Sequence, residues 1–122
     1  MKKIIVLMMM SLFVMSCQTK MPVAVNTDRT EIKALVLDPE TTLVDVRIPE
    51  QFAEKTAEGA INIPLAEIEN NIDLLKGKKN IVVFCNSGRQ SGEALEILKK
   101  NGIKNVYNAK TLTNVEAIKN EK

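Results

Sequence analysis

The chain has 122 residues, with 17 Lys+Arg, 15 Asp+Glu, two cysteines and no histidine. Such a length suits one small domain. The absence of histidine excludes serine–histidine and cysteine–histidine catalysis and imidazole metal sites, and two cysteines are too few for a thiolate zinc site.

Residues 1–16 are expected to lie outside the fold. Lys2 and Lys3 form a basic start, and residues 4–15 form an apolar run broken only by Ser11. That run falls short of the ~20 apolar residues that span a bilayer and reads as an export signal. The junction Val14-Met15-Ser16-Cys17 resembles a bacterial lipobox, with a small residue before the cysteine. Cys17 is therefore expected to be lipidated, to become the mature N-terminus and to anchor the chain to a membrane of the cell envelope. Gln18 stands where an aspartate often retains lipoproteins in the inner membrane, which favours the outer one, with the domain facing the periplasm. Cleavage after Ser16 leaves 106 residues and removes two lysines, so that 15 cationic side chains face 15 anionic ones. With no basic excess, no tryptophan and one tyrosine, nucleic acid is not an expected partner.

Residues 17–22 read as a lipidated tether, and residues 23–119 as the domain. Val23-Ala24-Val25 suits a first short strand. Thr27 or Asp28 can cap a helix with Ile32, Leu35 and Val36 on one face. Leu43-Val44-Asp45-Val46 reads as a buried strand, and Pro49 opens a short helix through Phe52. Residues 59–64 form a short strand stopped by Pro64. Leu65, Ile68, Ile72 and Leu75 have helical spacing, and Gly77 ends that element. Residues 81–84 form the most apolar strand. A helix over residues 92–100 carries Ala94, Leu95, Ile97 and Leu98 and stops at Asn101-Gly102. Val106-Tyr107 is a final strand, and residues 112–119 a last helix. Strands alternating with helices imply an α/β fold with a central, mostly parallel sheet covered on both faces.

In such sheets ligands bind beyond the carboxyl ends of the strands. Two strand ends carry chemistry. One bears Asp45-Val46-Arg47, which suits framework pairing. The other bears Cys85-Asn86-Ser87-Gly88-Arg89-Gln90-Ser91, directly before a helix. A cysteine at a strand-to-helix turn meets converging N–H groups and the positive end of a helix dipole, which lower a thiol's pKa. With Cys17 lipidated, Cys85 is the one remaining thiol, and a leftover cysteine in an exported protein suggests a reactive group.

Three blocks in order carry a resemblance: Asp45-Val46-Arg47-Ile48-Pro49-Glu50-Gln51-Phe52, then Gly59-Ala60-Ile61-Asn62-Ile63-Pro64, then residues 85–92. Together they resemble the single-domain rhodanese (thiosulfate sulfurtransferase) family, in particular its small exported members, over most of the mature chain. The resemblance implies a three-layer sandwich and a covalent mechanism without metal or cofactor. Cys85 would attack the sulfane sulfur of thiosulfate, release sulfite and pass the sulfur from a persulfide to cyanide or a thiol. The loop Asn86, Ser87, Gly88, Arg89, Gln90 and Ser91 would bind the substrate, its N–H groups cradling the anion and Arg89 facing the sulfonate. Small-molecule donors and acceptors are the expected partners, and a monomer is expected.

Two departures from the family pattern stand out. Thr56 replaces a frequent histidine, and Asn108-Ala109-Lys110-Thr111-Leu112 lacks the glycine pair common after the last strand. Asn62 reads as a turn-shaping residue. A rhodanese-fold sulfur-delivery or binding module acting on a partner protein in the envelope is the alternative function. A phosphatase or arsenate reductase would want an arginine six residues after the cysteine, where Ser91 stands.

Overall fold

The computed structural model describes residues 29–121. The export segment, Cys17, the tether, the strand expected at Val23-Ala24-Val25 and the caps Thr27 and Asp28 lie outside the described residues. Four strands, β1 (Thr41–Asp45), β2 (Ile61–Asn62), β3 (Asn80–Cys85) and β4 (Val106–Thr111), form one sheet ordered β2-β1-β3-β4. Every neighbouring pair is parallel. Parallel neighbours need crossover connections, and α2 (Pro49–Glu54), α3 (Ile72–Lys76) and α4 (Arg89–Lys100) lie in them, while α1 (Arg29–Leu37) precedes β1 and α5 (Leu112–Glu121) follows β4. Among the described residues no helix is long and apolar enough to cross a membrane.

The run Ile81-Val82-Val83-Phe84-Cys85 is buried throughout, because β3 is central and covered on both faces. Successive side chains alternate between the faces. Ile81, Val83 and Cys85 pack with Ile68, Leu75, Ala94 and Leu98, while Val82 and Phe84 pack with Ile32, Val36, Val115 and Ile118. Helices α3 and α4 thus cover one face, and α1 and α5 the other. Each fully buried Leu, Ile or Phe contributes about 1.5–3 kcal/mol. The same alternation puts Cys85 on the α4 side.

Helix α4 starts at Arg89, three residues earlier than its apolar spacing predicts, so that Arg89, Gln90 and Ser91 form its first turn. Gly88 precedes it at φ +95°, a left-handed conformation that glycine adopts without steric cost. At the other end, Gly102 N–H donates to Lys99 O and Ile103 N–H to Leu98 O, both near 3 Å, with Gly102 at φ +91°. This is the Schellman stop that Asn101-Gly102 predicts.

Further elements differ from the sequence expectation: the strand expected over residues 59–64 is confined to Ile61–Asn62. Residues 65–75 do not form one α-helix: a 3-10 turn over Leu65–Asn71 leads into the short α3. Asn71 sits at φ −118°, ψ 19°, and its Nδ2 donates to Glu67 O at 2.8 Å. That bond occupies the carbonyl an α-helical Asn71 N–H would use. Strand β4 runs on to Thr111 instead of ending at Tyr107. Its register against β3 shifts between Val83 and Phe84, leaving Ala109 as an extra residue, a β-bulge. The bulge turns Lys110 to φ +73°, with its N–H donating to Asn108 Oδ1 at 2.7 Å. A non-glycine residue held there costs about 1–2 kcal/mol.

Candidate active site

The carboxyl ends of β1 and β3 lie side by side, so Asp45-Val46-Arg47 and the Cys85 loop meet although they are far apart in the chain. Cys85 is 1% exposed. Its Sγ receives the N–H of Gly88 at 3.0 Å and of Ser91 at 3.4 Å. Two acceptors stand ready for the thiol proton: Ser91 Oγ at 3.5 Å and Lys110 O at 3.6 Å. The Ser91 hydroxyl in turn can donate to Gly88 O at 3.1 Å or Lys110 O at 3.3 Å. When the thiol loses its proton, that hydroxyl is free to rotate and donate to Sγ.

Burial pushes the Cys85 thiol pKa up, but the Ser91 hydroxyl and the N–H groups of Ser91, Gly88 and Ser87 pull it down further. The net position is below the usual thiol value. All these donors come from the first turn of α4 and the loop before it, where the helix dipole adds to them. A depressed folded-state pKa stabilises the fold above the unfolded thiol's pKa, and this contribution fades as pH falls through the folded value. Alkylation of Cys85 by iodoacetamide is therefore expected to rise with pH through an inflection below the ordinary ~8.5. In Ser91→Ala the inflection should move to higher pH and the rate at neutral pH should fall. An unmoved inflection would mean that the hydroxyl does not reach the thiolate.

The other loop residues take different places. Asn86 and Ser87 are exposed, and Ser87 Oγ accepts the Arg89 N–H at 3.4 Å. Arg89 is exposed and Gln90 half-buried on the first turn of α4. Of residues 86–91, Gly88 and Ser91 reach Sγ within hydrogen-bond distance, whereas Asn86 is tied to the framework through Arg47.

That tie was not visible in the sequence. Arg47 and Asp45 are almost completely buried and paired: Nε lies 2.9 Å from Oδ1 and Nη2 2.7 Å from Oδ2. Such a two-pronged pair is both strong and directional. Asp45 also accepts the Arg47 N–H at 3.0 Å and the Thr56 hydroxyl at 2.8 Å. Arg47 donates onward to the carbonyls of Gln51 and Lys55, which close α2, and through Nη1 to Asn86 Oδ1 at 3.1 Å. The hydrogen bond to Asp45 raises the Arg47 pKa against the opposing effect of burial, and the charges of Asp45 and Cys85 add to the rise. Asn62 Nδ2 bridges the carbonyls of Asp45 and Arg47, each at 3.0 Å, and so shapes this turn. The Asp45–Arg47 block is thus framework, as its sequence suggests, but framework that grips the cysteine loop.

A hollow of about 510 Å³ lies at the opposite end of the sheet, lined by Val36, Asp38, Thr41, Glu58 and Lys119. It does not include Cys85. Among the described residues no group of three or more His, Cys, Asp or Glu is placed to hold a metal ion.

A parallel α/β sheet whose central strand ends in a thiol held by backbone N–H groups defines a cysteine-loop protein of the rhodanese kind. Residues 28–111 match the family model for the rhodanese-like domain, and the chain belongs to that family. It is 46% identical over 74 residues to the thiosulfate sulfurtransferase PspE of Escherichia coli, covering 59% of this chain and 71% of that protein. It is 35% identical over 71 residues to Bacillus subtilis YrkF, whose name proposes a sulfur carrier, spanning 58% of this chain but 38% of that protein. Among solved structures, an Escherichia coli rhodanese with anions superposes with a TM-score of 0.56 at 45% identity, covering 61% of this chain and 89% of that one. The human single-domain sulfurtransferase TSTD1 gives a TM-score of 0.55 at 27% identity, with 65% and 82% covered. These relatives support a sulfur-transfer function.

Proposed function

We propose that the chain is a thiosulfate sulfurtransferase working through a persulfide on Cys85. The observation that carries this reading is the Cys85 Sγ in a cradle of Gly88 and Ser91 N–H groups, with its pKa held down. The thiolate attacks the outer sulfur of thiosulfate. A bond forms between the two sulfurs, the S–S bond of thiosulfate breaks, and its electron pair leaves with sulfite. The persulfide anion then occupies the cradle. Cyanide or a thiolate attacks its terminal sulfur and returns the electron pair to Cys85. Charge and atoms balance in both steps, and no general base is needed because the thiolate itself is the attacking group. The N–H groups are fixed before the reaction, so they stabilise negative charge on sulfur without reorganising. Arg89, exposed on the first turn of α4, is the residue to which this reading assigns the sulfonate oxygens. The similarity to PspE supports thiosulfate as donor. Formation of thiocyanate from thiosulfate and cyanide by soluble residues 18–122 tests this reading.

The similarity to YrkF favours a second reading, sulfur delivery to a partner protein in the envelope. A folded protein that alkylates at Cys85 but makes no thiocyanate would support it instead. We further propose that the domain acts as a monomer, exported and held to a bacterial membrane through lipid on Cys17. Radiolabelled palmitate is then expected to enter the wild-type chain and not Cys17→Ala. Equal labelling of both would contradict the anchor.

A further inference from the structure

We propose that Lys110 is the anion-selecting residue of the Cys85 site, committing it to small, doubly negative sulfur donors. This rests on the sulfurtransferase reading above and names the donor class for it. Among the described residues Lys110 is the one non-glycine at positive φ. The bulge at Ala109 and the bond from Asn108 Oδ1 hold it there. In this conformation its backbone forms a wall of the thiol pocket, with the carbonyl 3.6 Å from Sγ and 3.3 Å from Ser91 Oγ.

Its side chain leaves in the direction of the loop. A Cβ built on Gly88 would lie 3.4 Å from Lys110 Cβ and 3.8 Å from its Cγ. The lysine stem therefore lies across Gly88, whose N–H is 3.0 Å from Sγ. Lys110 and Arg89 are both exposed, and neither forms an ion pair among the described residues. The third nearby cation, Arg47, is neutralised by Asp45. Glu93, the first acidic residue of α4, comes a full turn after Arg89. Lys110 thus brings a cation that forms no ion pair among the described residues to the rim of the thiol pocket, and Arg89 adds a second on the first turn of α4. Cations at the rim of a site raise the local concentration of anions and their rate of encounter, more for a dianion than for a monoanion. The stem over Gly88 also narrows the approach for a bulky donor.

The test compares the purified full chain with Lys110→Gln, which keeps the stem and loses the charge, and Lys110→Gly, which loses both. Alkylation of Cys85 by anionic iodoacetate and by neutral iodoacetamide reads the field at Sγ without any sulfur transfer. In Lys110→Gln the iodoacetate:iodoacetamide rate ratio should fall about threefold at low salt. The difference should vanish near 1 M salt, where the Debye length is only ~3 Å. Thiosulfate kcat/KM should fall by a similar factor, through KM. Lys110→Gly should show the same loss with thiosulfate and a gain with glutathione persulfide, a larger donor. An unchanged alkylation ratio in Lys110→Gln would overturn the proposal whatever the activity. If the wild type moved no sulfur from thiosulfate while the ratio still fell, the sulfurtransferase reading would fail and the anion-selecting role of Lys110 would stand.

Discussion

Cys85→Ser is expected to lower thiocyanate formation from thiosulfate by at least about 10³-fold, the scale on which removal of a catalytic nucleophile acts. Serine nearly matches cysteine in shape, so the buried position under α4 and the donors from Gly88 and Ser91 are kept. What is lost is the anion. A serine hydroxyl stays protonated at neutral pH even in this cradle, and the chain has no imidazole to take its proton. The variant should unfold in urea at close to the wild-type concentration. Loss of activity with unchanged stability assigns the reaction to the sulfur atom. Retained activity would remove Cys85 from the mechanism.

Arg47→Ala is expected to be the most destabilising change at the site. It leaves the Asp45 carboxylate completely buried with the Thr56 hydroxyl and one backbone N–H as its remaining partners. Breaking a buried pair in this way costs about 3–5 kcal/mol, a large share of the ~5–15 kcal/mol that holds a small domain together. For a domain near 100 residues the melting temperature should drop by more than about 10 °C. The double variant Asp45→Leu with Arg47→Met should lose less, because no charge is left buried alone. Arg47→Lys should fold better than Arg47→Ala yet work poorly, since an ammonium cannot make the two-pronged contact and also reach Asn86. Urea unfolding of the four proteins checks this. A loss below about 1 kcal/mol in Arg47→Ala would place the pair with weak surface pairs.

The sequence announces the parts of this molecule that depend on local pattern. The apolar strand before Cys85, the spacing of Ala94 and Leu98, and the Asn101-Gly102 stop each follow from period or from glycine, and the structure shows each in place. Cys85 at the end of a central strand is legible for the same reason. Features set by competition between side chain and backbone are not. Asn71 breaks the helix that Leu65, Ile68, Ile72 and Leu75 predict, although their spacing fits both outcomes. Strand β4 hides behind Asn108 and Lys110, polar residues at a bulge where an apolar pattern gives no signal. Arg47 and Asn86 meet across two strand ends, 39 positions apart, and nothing in either neighbourhood marks the contact. The left-handed conformation of Lys110 is equally silent, because the usual marker for it, glycine, is missing.

The most direct measurement is mass spectrometry of the folded protein after mixing with thiosulfate. The peptide containing Cys85 should gain one sulfur atom, and cyanide should remove it as one equivalent of thiocyanate. A folded protein whose Cys85 alkylates readily yet never takes up that sulfur would contradict a persulfide mechanism drawing on thiosulfate.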